Sequence, residues 1–333
     1  VHSPPDEPAR AVAAGMAAML GEHRLEPSRF TRVVHATTLF TNALIERKGA
    51  PTGLITTAGF RDALEIGRER KFELYDLNIA RPEPLVPRNR RLEVAERVRA
   101  DGRVHQPLDR DQLANAVERL VAGGVASIAV TFLHAYANPR HEAEAVRLIA
   151  ERHPDVFTTA SHEVAPEIRE FERASTTVAN AYIKPLAHQY LGRMARQLAD
   201  AKTPAPLLLM LSSGGLTHVT EAQRAPVQML ESGPAAGAIA AAFFGRADSG
   251  GDLLAFGMGA TFVSLTLVAT TNVDHDDAGL ASGIFNTTQQ VGGALGLAIL
   301  STLANDRTTS ALGAIVGRPT QAPVDAALVD GDQ

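Results

Sequence analysis

The run RDQLANAVERLVAGGVASIAVTFL, residues 110–133, constrains the fold more than any other part of this chain. Leu113, Val117 and Leu120 fall on one helical face, Asp109 is placed to cap that helix, and Gly123 and Gly124 stop it. VASIAVTFL then continues without the polar alternation of a half-solvated strand. A strand that is apolar on both faces needs cover on both, and the helices of α/β units supply it.

The same order recurs along the first 250 residues. PARAVAAGMAAMLGEH predicts a helix, and RFTRVVHATT a short strand ending in a polar turn. TNALIERKGA predicts a helix closed by Gly49, and PTGLITT the next strand. NPRHEAEAVRLIAERH predicts a helix with Pro139 near its first turn, and a long helical region runs from about Pro166 to Asp200. PLLLML predicts a strand that stops at SSGG, and SGPAAGAIAAAFFGR a helix with Ser232 as N-cap and Pro234 at its first position. RPEPLVPRNRR, residues 81–91, is expected as a loop or polyproline segment. Strand, turn and helix in repetition predict an α/β class with a largely covered sheet.

Composition narrows the function classes. The chain has no Cys, which excludes disulfides and thiolate metal sites, and a net charge of −5 gives no reason to expect nucleic acid as a partner. The opening VHSPPDEPAR lacks the charged and apolar regions of a signal peptide, so none is expected, and it reads as a start partway into a domain. The charge is unevenly spread: residues 1–250 hold 30 Lys and Arg against 29 Asp and Glu, whereas residues 251–333 hold 2 against 8.

Three clusters stand just past the carboxyl ends of predicted strands, where open α/β sheets bind ligands. In HATTLFTNALIERKG, His35, Thr37, Thr38, Thr41 and Asn42 occupy a strand-to-helix junction whose hydroxyls and N–H groups suit an oxyanion; Thr37 or Thr38 serving only as an N-cap is the plainer alternative. LSSGG, with Ser212, Ser213, Gly214 and Gly215, either turns N–H groups into the same crevice or is a tight turn. ESGPAAGAI, with Ser232, Gly233 and Gly237, opens a helix with small residues that suit a phosphate or close packing on the sheet. In SHEVAPEIREFERAST, Glu163, Glu167, Arg169, Glu170, Glu172 and Arg173 have the density of a solvated helix face with i,i+4 pairs.

Together HATTLFTNALIERKGAPTGLITTAGFRDALEIGRER, RPEPLVPRNRRLEVAERV, SHEVAPEIREFERASTTVANAYIKPL, LLMLSSGGL and LESGPAAGA resemble the hydantoinase A/oxoprolinase family in order and spacing over about residues 10–255. The resemblance implies a partial actin-like ATPase (ribonuclease H-like) sheet domain with an inserted α/β region. It also implies a cytoplasmic enzyme coupling ATP cleavage, with Mg²⁺, to ring opening of hydantoins, 5-oxoproline or lactams beside a second subunit. HATTLFTN, LSSGG and SGPAAG would line the cleft. The family's first phosphate loop, of the type DxGGTFTD, finds no counterpart in the chain. The second, of the type FDMGGTSTDV, falls on FGMGATFVSL. Around Gly259 and Thr261, Gly257 and Ser264 stand in place of its aspartates, and Ala260 and Phe262 in place of a glycine and a serine. A loop degraded in this way has little with which to position Mg²⁺ or water at a γ-phosphate.

Beyond it, Leu253–Thr271 and Gly279–Ala304 carry no charged residue, each long enough to cross a bilayer. Gly279/Gly283 and Gly292/Gly296 would let helices approach closely in lipid, and burial in a soluble core is the alternative. AGLASGIFNTTQQVGGALGLAILS resembles the final helices of fourteen-helix major facilitator superfamily drug exporters over about residues 257–304.

The expected organisation is therefore an N-terminal region at 1–165 and a truncated core domain at 166–256. Two apolar, transporter-like helices at 257–304 and a disordered polar tail at 305–333 follow. The functional expectation is an ATP-dependent cyclic-amide hydrolase subunit, impaired as a truncated chimera. A non-catalytic binding module, or a protein tethered to membrane through 253–304, is the alternative.

Overall fold

The computed structural model describes residues 8–68 and 82–247. The chain begins with helix α1 (Pro8–Glu22), strand β1 (Val33–His35) and helix α2 (Leu39–Ile45). It continues through β2 (Thr52–Thr57), α3 (Ala63–Ile66), β3 (Arg91–Val94) and a short hairpin of β4 (Arg97–Val98) and β5 (Val104–Gln106). Next come α4 (Arg110–Ala122), β6 (Ser127–Thr131), α5 (Arg140–Arg152), β7 (Phe157–Ala160) and the single turn α6 (Ser161–Val164). The long α7 (Glu170–Asp200), β8 (Leu207–Met210), β9 (Leu216–His218), α8 (Val219–Arg224) and α9 (Ser232–Ala247) complete the described part.

Besides the β4–β5 hairpin, the described residues form two sheets of three or more strands. The larger has the order β3-β2-β6-β7, every neighbouring pair parallel, with Leu54 opposite both Arg91 and Ala129 and Ile128 opposite Thr158. Every residue of β6 is buried, as its apolar run predicts, and every residue of β2 is buried as well, its three threonines included. On one face Ile55, Ile128 and Val130 pack with Leu113, Val117 and Leu120 of α4 and Ala145 and Ile149 of α5. On the other, Leu54 and Ala129 pack with Val178 and Ala181 of α7. The smaller sheet has the order β1-β8-β9, with β1 parallel and β9 antiparallel to β8.

α7 serves both sheets. Asn180, Ala181, Tyr182 and Ile183 are buried in succession, which takes every side of the helix out of water. Its second half, Ala187, Tyr190, Leu191, Met194 and Leu198, closes over Leu207 and Leu209 of β8 and Phe40 of α2. Pro185 lies inside it, where a proline removes a backbone hydrogen bond at a cost of roughly 3 kcal/mol.

The caps show what local sequence decides. Asp109 accepts from the N–H groups of Asp111 (3.1 Å) and Gln112 (2.9 Å), as expected, and Gly124 takes φ +74° at the end of α4. α2 ends in the same geometry without a glycine: Arg47 adopts φ +54°, its N–H donates to Leu44 O and that of Lys48 to Ala43 O (2.8 Å). Gly49, expected to close α2, has another role, because a Cβ there would run into the Tyr182 ring. The long helix begins at Glu170 instead of Pro166, since Arg169 takes φ +79°. The chain after SSGG returns as β9, and Pro234, expected at the first helical position, is the third residue of α9.

Among the described residues no helix is long and apolar enough to cross a membrane. The helices expected over 257–304, the altered phosphate loop at Gly257, Gly259, Ala260 and Thr261, and the tail 305–333 lie outside the described residues.

Gly49→Ala is expected to destabilise the fold by roughly 1–3 kcal/mol in urea unfolding, the usual range for overpacking. The loss should shrink in a Tyr182→Ala background, giving a coupling in a double-mutant cycle that a cap glycine would not show.

Candidate functional site

The three sequence clusters do meet. β1 ends at His35, and the turn into α2 places Thr37 against the start of α9, 195 residues later. The Thr37 N–H donates to Ser232 Oγ (3.2 Å), and the Ser232 hydroxyl donates to the Thr37 carbonyl (3.0 Å). Thr41 Oγ1 donates to the Leu230 carbonyl. Gly233 permits this approach: a Cβ would come within 2.8 Å of Thr38 Cγ2.

The β8–β9 turn is fastened to the same segment. Ser212 donates to the Gln228 carbonyl through both its N–H (2.7 Å) and its hydroxyl (2.8 Å), and its Oγ accepts from Glu231 N–H (3.1 Å). Gly214 takes φ +83° and donates to Leu211 O, so the SSGG stretch is the tight turn that its residues permit. Gly215 stands opposite Leu211, whose N–H donates to its carbonyl (2.8 Å).

The hydroxyls of Thr41, Ser212 and Ser232 are therefore engaged with backbone groups. Thr37 Oγ1 is engaged too, accepting from Leu39 N–H (3.1 Å) at the start of α2. Ser232, expected to cap α9, bonds Thr37 instead, and Thr38 is the N-cap residue of α2 without a side-chain hydrogen bond. Asn42 and Ser213 are exposed, and a Cβ at Gly237 would meet nothing within 4 Å. The cluster is a latch joining three segments, held by the hydroxyls of Thr41, Ser212 and Ser232.

His35 lies beneath the latch. Its Nε2 shares a hydrogen bond with Tyr190 OH (2.9 Å), and Tyr190 packs edge-on against Phe40. Burial lowers the His35 pKa to about 4, so the ring is neutral at pH 7, and burial likewise raises the Tyr190 hydroxyl.

A second polar cluster, not singled out in the sequence, lies at the carboxyl ends of the parallel sheet. Buried Glu142 accepts from Phe132 N–H (2.8 Å), Ser161 Oγ (2.6 Å), and both the N–H (2.9 Å) and Nδ1 (2.7 Å) of His162. Buried Glu96 meets His141 Nδ1 at 2.7 Å and accepts from the Thr57 hydroxyl, whose oxygen accepts from Leu133 N–H. The hydrogen bond to Glu142 raises the His162 pKa against the opposing effect of burial. The signal available was the recurrence of His–Glu pairs, at 141–142 and 162–163, beside strand ends. Arg173 also departs from the solvated face expected for its segment: it is 2% exposed and donates to the carbonyls of Phe132 (2.8 Å) and Glu167 (3.2 Å). Among the described residues no group of three or more His, Cys, Asp or Glu could hold a metal ion.

This arrangement has recognisable relatives. Residues 1–154 match the hydantoinase/oxoprolinase N-terminal region, and residues 173–291 match the hydantoinase/oxoprolinase model. The chain belongs to the hydantoinase/oxoprolinase family. It is 39% identical over 241 residues to an uncharacterized protein of Methanocaldococcus jannaschii, covering 72% of this chain and 35% of that one. It is 33% identical over 236 residues to the caprolactamase subunit alpha of Pseudomonas jessenii, covering 70% and 34%. The crystal structure of the ATP-dependent caprolactamase from Pseudomonas jessenii superposes with a TM-score of 0.65 at 32% identity, over 73% of this chain and 36% of that one. The chain thus spans about a third of the length of these relatives. The second family match continues past Gly257, where the sequence resemblance was expected to stop.

Two outcomes test the site. Ser232→Ala removes the partner of both Thr37 backbone groups and is expected to cost about 1–3 kcal/mol in chemical denaturation, two hydrogen bonds at about 0.5–1.5 kcal/mol each. The His35 pKa is depressed on folding, so its contribution is complete above the unfolded value near 6.5 and is lost as pH falls toward about 4. Relative to His35→Gln, wild-type stability should fall over that window by at most about 1.4 kcal/mol per pH unit.

Proposed function

We propose that this chain forms part of an ATP-dependent subunit that opens cyclic amides by hydrolysis, on a partial actin-like ATPase framework. The observation that supports it most is the joining of HATTLFTN, LSSGG and SGPAAG into one cluster through Thr37, Ser212 and Ser232. The sequence resemblance assigns those segments to the nucleotide cleft, and the similar caprolactamase is titled ATP-dependent. Lactam, hydantoin or 5-oxoproline is the substrate class. A second subunit is the expected partner, since the similar Pseudomonas jessenii protein is a subunit alpha. A cytoplasmic setting accompanies this reading.

Three of the cluster's hydroxyls, those of Thr41, Ser212 and Ser232, donate to backbone carbonyls, and among the described residues no group of three or more His, Cys, Asp or Glu could hold a metal ion. Gly257 and Ser264 stand where Mg²⁺-positioning carboxylates are expected. We therefore infer that the chain by itself does not turn over Mg·ATP. The transporter-like reading of 257–304 rests on its uncharged runs, its small-residue pairs and the likeness of AGLASGIFNTTQQVGGALGLAILS to exporter helices, whereas the family match through residue 291 favours a continuation of the core domain there.

Phosphate release from purified chain, with and without hydantoin, 5-oxoproline or caprolactam, is expected to stay at background. ATP-dependent release stimulated by a cyclic amide would overturn the inferred impairment while supporting the family activity. In the same preparation, binding of ATP by calorimetry supports the nucleotide cleft, and saturable binding of none of the three cyclic amides or ATP contradicts the functional reading.

A further inference from the structure

A cleft of about 570 Å³ opens at the carboxyl end of β2, between the β2–α3 segment and the first turn of α7. That volume suits a small molecule, and the carboxyl edge of a parallel sheet is where α/β proteins bind ligands. Its apolar surface includes Phe60 and Phe171, and its charged surface includes Arg68, Arg169, Glu170 and Glu172. None of these residues belongs to the latch.

The charges are not all satisfied from within. Arg68 Nε donates to Glu172 Oε1 (2.7 Å), and Arg169 Nη1 lies 3.8 Å from the same oxygen. One carboxylate oxygen thus serves two guanidinium groups, which together carry more donors than it can accept. The half-buried Glu170 carboxylate accepts no hydrogen bond among the described residues. Glu170 also lines the smaller cavity behind the cleft, together with Arg173, whose buried Nε has no hydrogen-bond partner among the described residues. The wall therefore presents the exposed guanidinium donors of Arg68 and Arg169 and, in Glu170, an anion that faces the Arg173 charge without accepting a hydrogen bond among the described residues, beside two aromatic rings.

We propose that this cleft binds a small aliphatic amino acid as its zwitterion. The ligand carboxylate would take the spare donors of Arg169 and Arg68, its ammonium would meet Glu170, and its methylenes would cover Phe60 and Phe171. Charge-assisted pairing of both ends distinguishes such a ligand from a simple acid or amine. Hydrolysis of a lactam adds water across the amide bond and leaves a carboxylate and an ammonium on one chain, so this cleft would hold the product of the reaction proposed above. That last link rests on the proposed function; the binding itself does not.

Calorimetry on the full chain without ATP tests it, with 5-aminopentanoate as probe and pentanoate and pentylamine as controls. The expected result is saturable binding about tenfold or more tighter than either control, weakened about tenfold by Glu170→Gln and by Arg169→Gln, the loss typical of one charged hydrogen bond. Arg68→Gln provides a third reading should the left-handed backbone at residue 169 make its variant unstable, and circular dichroism checks that each variant folds. No saturation, equal binding of the controls, or undiminished binding by the folded variants would overturn the proposal. Absence of ATP turnover bears only on the proposed function.

Discussion

The packing of α7 against both sheets, with residues 180–183 buried in succession between them, is the constraint on which the rest of the described structure depends. Its first half covers the parallel sheet through Val178 and Ala181, and its second half covers the smaller sheet through Tyr190, Leu191 and Met194. Each large apolar side chain so buried contributes about 1.5–3 kcal/mol. The helix tolerates Pro185 because packing on both sides holds it where backbone bonding is interrupted. Tyr182 shows how tight the fit is, since only a hydrogen at Gly49 leaves room for its ring.

Polar groups extend the same arrangement. Asn180, in the middle of α7, donates to Thr159 Oγ1 and Arg224 O and accepts from Val227 N–H, linking β7 with the chain around α8. Arg173, near its start, reaches the carbonyl beyond β6, and Lys184 donates to Thr158 O at 2.6 Å. These pairings place the strand ends of the parallel sheet, the latch at Ser232 and the cleft at Glu170 around a single helix. Family membership agrees with that layout, while the chain's coverage of about a third of its relatives leaves the chemistry to be tested directly.

Much of the architecture was legible because it is decided locally. The capped α4, the buried β6 and the alternation of the longer helices with β1, β2, β6 and β8 follow from apolar spacing and from Asp109, Gly123 and Gly124, whereas β3, β7, β9 and the β4–β5 hairpin carry no such pattern. What was not legible depends on distant partners. Gly49 resembles a helix stop until Tyr182 is brought against it, and Ser232 resembles an N-cap until Thr37 arrives from 195 residues away. Arg173 resembles one more solvated charge, because no local pattern records that Phe132 and Glu167 will offer it carbonyls. The segments that carry the candidate hydroxyls come together for a related reason: residues at strand ends meet, but whether they face a ligand or one another is set by tertiary contact.

Native-state hydrogen exchange across α7 tests the account most directly. If this helix unites both sheets, amides of residues 177–183, beside the parallel sheet, and of residues 187–194, beside the smaller one, should open with one common free energy equal to that of global unfolding. Two well-separated opening energies, with one sheet and its half of α7 exchanging while the other stays protected, would show two independent units and contradict it.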